Sequence, residues 1–168
     1  MVTTDDTRAH PNVARVVDAA AAAGLAIKVV RFPDHTRTAE DAARAVGCSV
    51  AQIVKSLVFM VDGEPMVALV SGADRLDPAR LAAAMSSTQV RRADADEVRA
   101  ATGYAIGGVP PLGHARPLPI LIDERLLAHD EVWAAAGLPD AVFRVAPLAL
   151  MGAAGARPAT LAADGGSR

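Results

Sequence analysis

Residues 54–71 constrain the fold more than any other stretch of the chain. VKSLVFMV at 54–61 is apolar and rich in β-branched and aromatic side chains, so it reads as a strand. Asp62-Gly63 follows, a pair suited to the positive backbone angles of a type I′ turn. Pro65 to Ser71 then returns as the second strand of a hairpin. A two-stranded hairpin is marginal alone in water, so the remaining segments must cover it and extend it into a sheet.

Those segments read clearly. A helix is expected over 12–23, with Val13, Val16, Val17 and Ala20 on one face and Gly24 as its stop. A strand over 26–31 ends at Pro33, and 34–37 form a polar loop. Thr38 opens a helix that Gly47 closes, and 49–53 could add one more turn. Asp77-Pro78 starts a helix to about Met85, and a strand is expected over 87–91. Asp94 and Glu97 form the capping box of a helix over 94–101. The stretch 104–119, YAIGGVPPLGHARPLP, is irregular. A strand at 118–123 leads into a helical turn at 124–127, and strands at 131–135 and 141–145 flank a turn. A helix at 148–154 and a short strand at 158–161 complete the chain.

Hairpins break any strict βαβ alternation. The expected fold is therefore a single α+β domain, with a mixed, mostly antiparallel sheet that is curved or partly barrelled and has helices around it. The domain should span 11–161, with a flexible arm at 1–10 and a disordered tail at 162–168. No GxGxxG follows a strand and no Walker A sequence is present, which disfavours the common nucleotide folds.

Composition narrows the partners. Net charge is -2 and the pI about 6.1, so no global positive field gathers nucleic acid, and any RNA contact must be local. Aromatics are 3%, too few for a broad base-stacking platform. Cys48 is the only cysteine, which rules out an intramolecular disulfide and a thiolate zinc cluster and fits a reducing compartment. The acidic N-terminus has no signal-peptide core, and no apolar run reaches the roughly 18–20 residues of a spanning helix. A cytoplasmic protein with no membrane or DNA partner is expected. His10, His35, His114 and His129 lack close metal spacing, so neither a metal nor another cofactor is expected.

Two features point to chemistry. Lys55 alternates with Leu57, Phe59 and Val61 on one strand face, where a charge must be paired, neutralised or opened to a cavity. It either lies at the strand end with its stem snorkelling to water, or is an ammonium placed to bind an anion or carbonyl. Only two of the 17 basic residues are Lys, which tips the balance toward placement. The second feature is Gly107-Gly108-Val109-Pro110-Pro111. Its glycines allow close backbone approach and its prolines stiffen the exit, so it is either an ordinary turn or a cradle for a carboxylate, phosphate or oxyanion. His114 follows this loop and could line a cleft. Asp123 ends a strand and is either a site acid or a helix cap. Arg91-Arg92, with Arg75 and Arg80, could form a local basic edge.

In this order, TAEDAARAVG (38–47), QIVKSLVFMVDGEPMVALVSGADRLD (52–77), TGYAIGGVPPLGH (102–114), LPILIDE (118–124) and EVWAAAG (131–137) resemble the YbaK/EbsC family. That family is similar to the inserted editing domain of bacterial prolyl-tRNA synthetases. The resemblance implies hydrolysis of the ester in a mischarged aminoacyl-tRNA, a small residue such as Ala or Cys on a tRNA for proline. Carried over by position, it implies Lys55, Gly108 and Asp123 as catalytic residues. It implies Ser56, where the family usually has Thr, together with Gly103, Tyr104, Gly107, Val109, Pro110 and His114, around the substrate. It also implies the aminoacylated acceptor end of tRNA, and a synthetase, as partners. Two other readings stay open: a non-catalytic tRNA- or synthetase-binding module of the same fold, and a hydrolase of small free esters or amides.

Overall fold

The computed structural model describes residues 10–32 and 38–165. Residues 1–9 of the expected arm at 1–10, the polar loop with His35, and the last three residues lie outside these limits. Helix α1 (Pro11–Ala22) is capped by His10, whose Nδ1 accepts from the Asn12 N–H at 3.1 Å. His10 therefore belongs to the helix rather than to the arm. Val13, Val16 and Ala20 form its buried stripe.

In chain order there follow β1 (Val29–Arg31), α2 (Ala39–Val46), β2 (Ile53–Val61), β3 (Glu64–Ser71), α3 (Pro78–Ala84), β4 (Val90–Arg92) and α4 (Ala95–Thr102). After the irregular stretch come β5 (Ile120–Asp123), β6 (Val132–Ala135), β7 (Ala141–Val145), α5 (Pro147–Ala154) and β8 (Arg157–Ala159). One 3-10 turn at Val50–Gln52 leads into β2, and another at Glu124–Ala128 follows β5. Local chemistry sets these limits. Thr38 accepts from the Asp41 N–H at the start of α2, and Asp94 and Glu97 make the reciprocal box of α4. Asp62 and Gly63 have φ of 51° and 81°, as a type I′ turn requires.

The strands make one mixed sheet in the order β1-β7-β6-β2-β3-β5-β8, not closed into a barrel, with β4 also paired to β2. Antiparallel pairs join β1 to β7, β6 to β7, and β2 to both β3 and β4; parallel pairs join β2 to β6, β3 to β5, and β5 to β8. The β2–β3 hairpin is its centre, paired from Val54↔Ser71 to Val61↔Glu64. Pro65 stands opposite Met60, where its nitrogen points away from β2 and no ladder bond is lost.

Alternation splits the apolar side chains of β2 between two cores. Val54 and Val58 join α1, β7 and α5 in the larger one, and Phe59 and Val61 pack with Met66, Leu81 and Leu161 in the other. Leu161 and Ala162 are buried at the far end of the sheet, and Ala162 bridges to Leu76. The ordered chain thus runs past the expected start of the tail.

Gly72 joins the hairpin to α2. A Cβ built there would lie 2.8 Å from both the Ala39 Cβ and the Val50 carbonyl oxygen. Gly72→Ala should therefore lower unfolding free energy by roughly 1–3 kcal/mol through overpacking, measured by urea denaturation. Unchanged stability would show that α2 yields freely.

Candidate functional site

The central strand is covered unevenly along its two edges. One edge pairs with β3 over its length. On the other, β6 pairs only with Ile53 and Val54, and β4 begins only at Phe59. The Gly72 N–H donates to the Ile53 carbonyl at 2.7 Å, so Ile53, and by alternation Lys55 and Leu57, address β3. Val54, Ser56 and Val58 address the other edge. There Val54 meets β6, and the Val58 carbonyl accepts from the Ala93 N–H at 3.0 Å. Ser56 faces the break between them.

A cavity of about 240 Å³ opens at this break. Residues 53–58 of β2 form its floor, with Thr38, Ala39 and Ala42 from α2 on one side and Trp133, Ala134 and Ala135 from β6 on another. Ile106, Gly107 and Val109 form a wall, and Arg92 and Ala93 stand where β4 ends. Side chains alternate across a sheet, so Lys55 and Ser56 leave opposite faces. The interrupted edge lets both border one cavity. Alanines on two sides, Ala39 and Ala42 from α2 and Ala134 and Ala135 from β6, keep the cavity clear of large side chains there.

Lys55 is half-buried, and its Nζ donates to the Asp74 carbonyl oxygen at 2.6 Å. The Asp74 carboxylate is engaged elsewhere, accepting from Arg125 Nη1 at 2.9 Å. Among the described residues no carboxylate sits on the ammonium, which is oriented by a main-chain dipole. Desolvation pulls its pKa below the ordinary lysine value, and the nearby Asp74 and Glu40 charges oppose that shift. Arg92, the other cation on the cavity, lies over the Phe59 ring at 5.6 Å.

Ser56, Gly107 and Val109 line the same cavity as Lys55. The other expected site residues have different places. Asp123 is fully buried: its Oδ1 accepts from the Leu161 and Ala162 N–H groups at 2.7 and 3.1 Å, and its Oδ2 from the Arg125 N–H at 3.3 Å. It caps the turn after β5, ties down the C-terminal segment and does not line the Lys55 cavity. The Gly108 N–H is already spent on the Ala105 carbonyl at 3.0 Å. A Cβ on Gly108 would lie 3.0 Å from the Leu138 Cα, so glycine here admits the close approach of the 137–138 backbone.

Gly103 is the left-handed cap of α4. Tyr104 is buried and donates to the Gly113 carbonyl at 3.0 Å, with Arg15 over its ring. The Pro110 carbonyl oxygen lies 2.7 Å from His114 Nε2, and burial pushes the His114 pKa down. His114 lines a separate depression of about 380 Å³ with Arg116 and Leu118, whose lining shares no residue with the Lys55 cavity. These four residues shape the loop and do not border the Lys55 cavity. Ile106 and Trp133 do border it, and nothing in the local sequence pattern marks either one. Among the described residues no group of three or more His, Cys, Asp or Glu could hold a metal ion, and no helix is long and apolar enough to cross a membrane.

A family model described as an aminoacyl-tRNA editing domain matches residues 33–153. The uncharacterised protein YwhH of Bacillus subtilis is 29% identical over 119 residues, 71% of this chain and 76% of that protein. The candidate Cys-tRNA(Pro)/Cys-tRNA(Cys) deacylase EbsC of Enterococcus faecalis is 29% identical, over 70% of this chain and 72% of its own. The proline–tRNA ligase of Acidithiobacillus ferrooxidans is 33% identical over 61% of this chain, which spans 18% of that ligase. A solved structure described as a candidate trans-editing enzyme for prolyl-tRNA synthetase superposes with a TM-score of 0.87 at 47% identity, covering 92% of this chain and 98% of the other.

The environment of Lys55 makes a signed prediction. Its folded pKa lies below its unfolded one, so between the two values the unfolded chain binds the proton more tightly. Stability from this group is complete above the unfolded pKa and is lost as pH falls through the folded one. At pH 7 the buried ammonium is a net cost. Lys55→Met should keep or raise the melting temperature at pH 7, and NMR titration of the Lys55 side chain should give a midpoint below 10.5. A midpoint at or above that value would contradict the burial.

Proposed function

Given that the chain belongs to the aminoacyl-tRNA editing domain family, we propose that it hydrolyses the ester of a mischarged aminoacyl-tRNA in the Lys55 cavity, removing a small amino acid such as Ala or Cys from a tRNA for proline. The observation that carries this reading is a half-buried ammonium, with no carboxylate bonded to it among the described residues, on a small, largely apolar cavity at a break in the sheet. Similarity to a candidate deacylase of cysteinyl-tRNA and to a candidate trans-editing enzyme supports the substrate class.

An aminoacyl ester is already activated, so catalysis needs position and charge stabilisation more than a strong nucleophile. A water oxygen bonds to the acyl carbon, and the acyl bond to the ribose oxygen breaks. The ribose oxygen leaves with a proton from that water, relayed by the neighbouring ribose hydroxyl. Lys55 stabilises the negative charge that builds at the ester, or holds the adjacent phosphate. Alanine-lined walls supply a size limit of the kind that second-site editing uses, because binding alone separates substrates differing by one methylene by only ~1–3 kcal/mol. Arg92 lines the cavity, and a cation there suits the phosphates of the acceptor end. This local cation matters in a chain of net charge -2.

Incubation with alanyl- and cysteinyl-tRNA for proline should release the amino acid; no release from a panel of mischarged tRNAs would leave only a binding module. Lys55→Ala should cut the single-turnover rate by about 10²–10³-fold while circular dichroism stays unchanged. Retained activity would remove Lys55 from the reaction. Arg92→Ala should raise KM and reduce the salt dependence of tRNA binding by about one phosphate contact; an unaltered salt slope would place the RNA elsewhere.

A further inference from the structure

We infer that Ser56 binds the aminoacyl group through its main chain, as though that group were a single strand residue paired into the break beside β2. The inference rests on the deacylase reading and adds a second contact for the substrate. Between the strand positions met by β6 and those met by β4, Ser56 turns both its N–H and its C=O to the cavity edge. No described loop residue donates to or accepts from this main chain. The Ser56 Oγ is buried as well and has no hydrogen-bond partner among the described residues. Buried polar groups are rarely left so, and each such case calls for an explanation. From Val54 to Val58 the break spans about 13 Å of strand edge, at roughly 3.3 Å per residue. That is enough for one guest residue and too little for a further strand.

The chemistry of an aminoacyl ester matches that vacancy. Its α-nitrogen and its carbonyl stand on one carbon, as they do in a residue of the chain. In a hydrogen-bonded antiparallel pair, two facing residues exchange both N–H···O bonds. The substrate's α-ammonium therefore donates to the Ser56 carbonyl, and the Ser56 N–H donates to the acyl oxygen. That donor takes the place that the occupied Gly108 N–H cannot fill. As water adds, negative charge grows on the acyl oxygen and the same N–H bond strengthens. The α-ammonium contact also separates amino acids from plain acyl groups of equal size.

The test uses two non-hydrolysable probes: 3′-deoxy-3′-(L-alanylamino)adenosine and its propionyl counterpart, which lacks the α-nitrogen. On ¹⁵N-labelled protein, the alanyl probe should move the Ser56 amide resonance downfield in a saturable way, and the propionyl probe should bind about tenfold more weakly. Replacing Ser56 by lactic acid through nonsense suppression turns its N–H into an ester oxygen, and should slow hydrolysis of alanyl-tRNA by at least about tenfold. Ser56→Ala removes the Oγ and keeps the main chain, so the alanyl probe should still move the residue-56 amide downfield; loss of that shift would assign the contact to the hydroxyl and overturn the main-chain pairing. Saturable binding that shifts Lys55 but leaves the Ser56 amide in place would overturn the pairing, as would equal affinity for the two probes. Wild-type deacylation is measured alongside. Hydrolysis with an unmoved Ser56 amide sinks the pairing alone, whereas no hydrolysis of any aminoacyl-tRNA sinks the functional reading and the pairing with it.

Discussion

The interrupted edge of the central strand governs the rest of this molecule. β2 is held along one side by its hairpin partner over its length, which makes it rigid. On the other side β6 and β4 approach from opposite ends and do not meet. A strand edge buried inside a domain normally finds partners for its N–H and C=O groups, because leaving them unpaired costs free energy. Here the fold maintains an opening in its sheet. The opening is what allows a lysine from one face and a serine from the other to share a cavity.

Rigidity around that opening comes from chemistry outside it. Asp123 gathers three main-chain N–H groups and fixes the turn that carries Arg125. Arg125 holds the Asp74 carboxylate, and the Asp74 carbonyl orients the Lys55 ammonium. A chain of contacts therefore runs from the C-terminal segment to the cavity. Gly108 has a similar indirect part: its missing side chain lets the 137–138 turn close against the loop whose neighbours, Gly107 and Val109, form the cavity wall.

Much of this was legible from local signals. The hairpin, its Asp62-Gly63 turn, the Thr38 and Asp94 caps and the oddity of Lys55 on an apolar strand each follow from a few adjacent residues. The parallel pairings of β2 with β6 and of β3 with β5 do not, because they join segments about fifty to eighty positions apart and leave no local mark. The opening itself is a product of those pairings, so no pattern in residues 53–61 announces it. Asp123 and Gly108 show a different limit. A carboxylate at a strand end looks the same whether it caps a turn or serves a reaction, and a glycine looks the same whether a ligand or another backbone approaches it. Only the positions of their partners separate these roles.

The most direct measurement is a crystal structure of the protein with 3′-deoxy-3′-(L-alanylamino)adenosine. The account requires the alanyl group in the break beside β2, with its carbonyl oxygen within hydrogen-bond distance of the Ser56 nitrogen and the Lys55 ammonium turned toward the ribose end. Electron density for the probe in the His114 depression, with the β2 edge untouched, would contradict it.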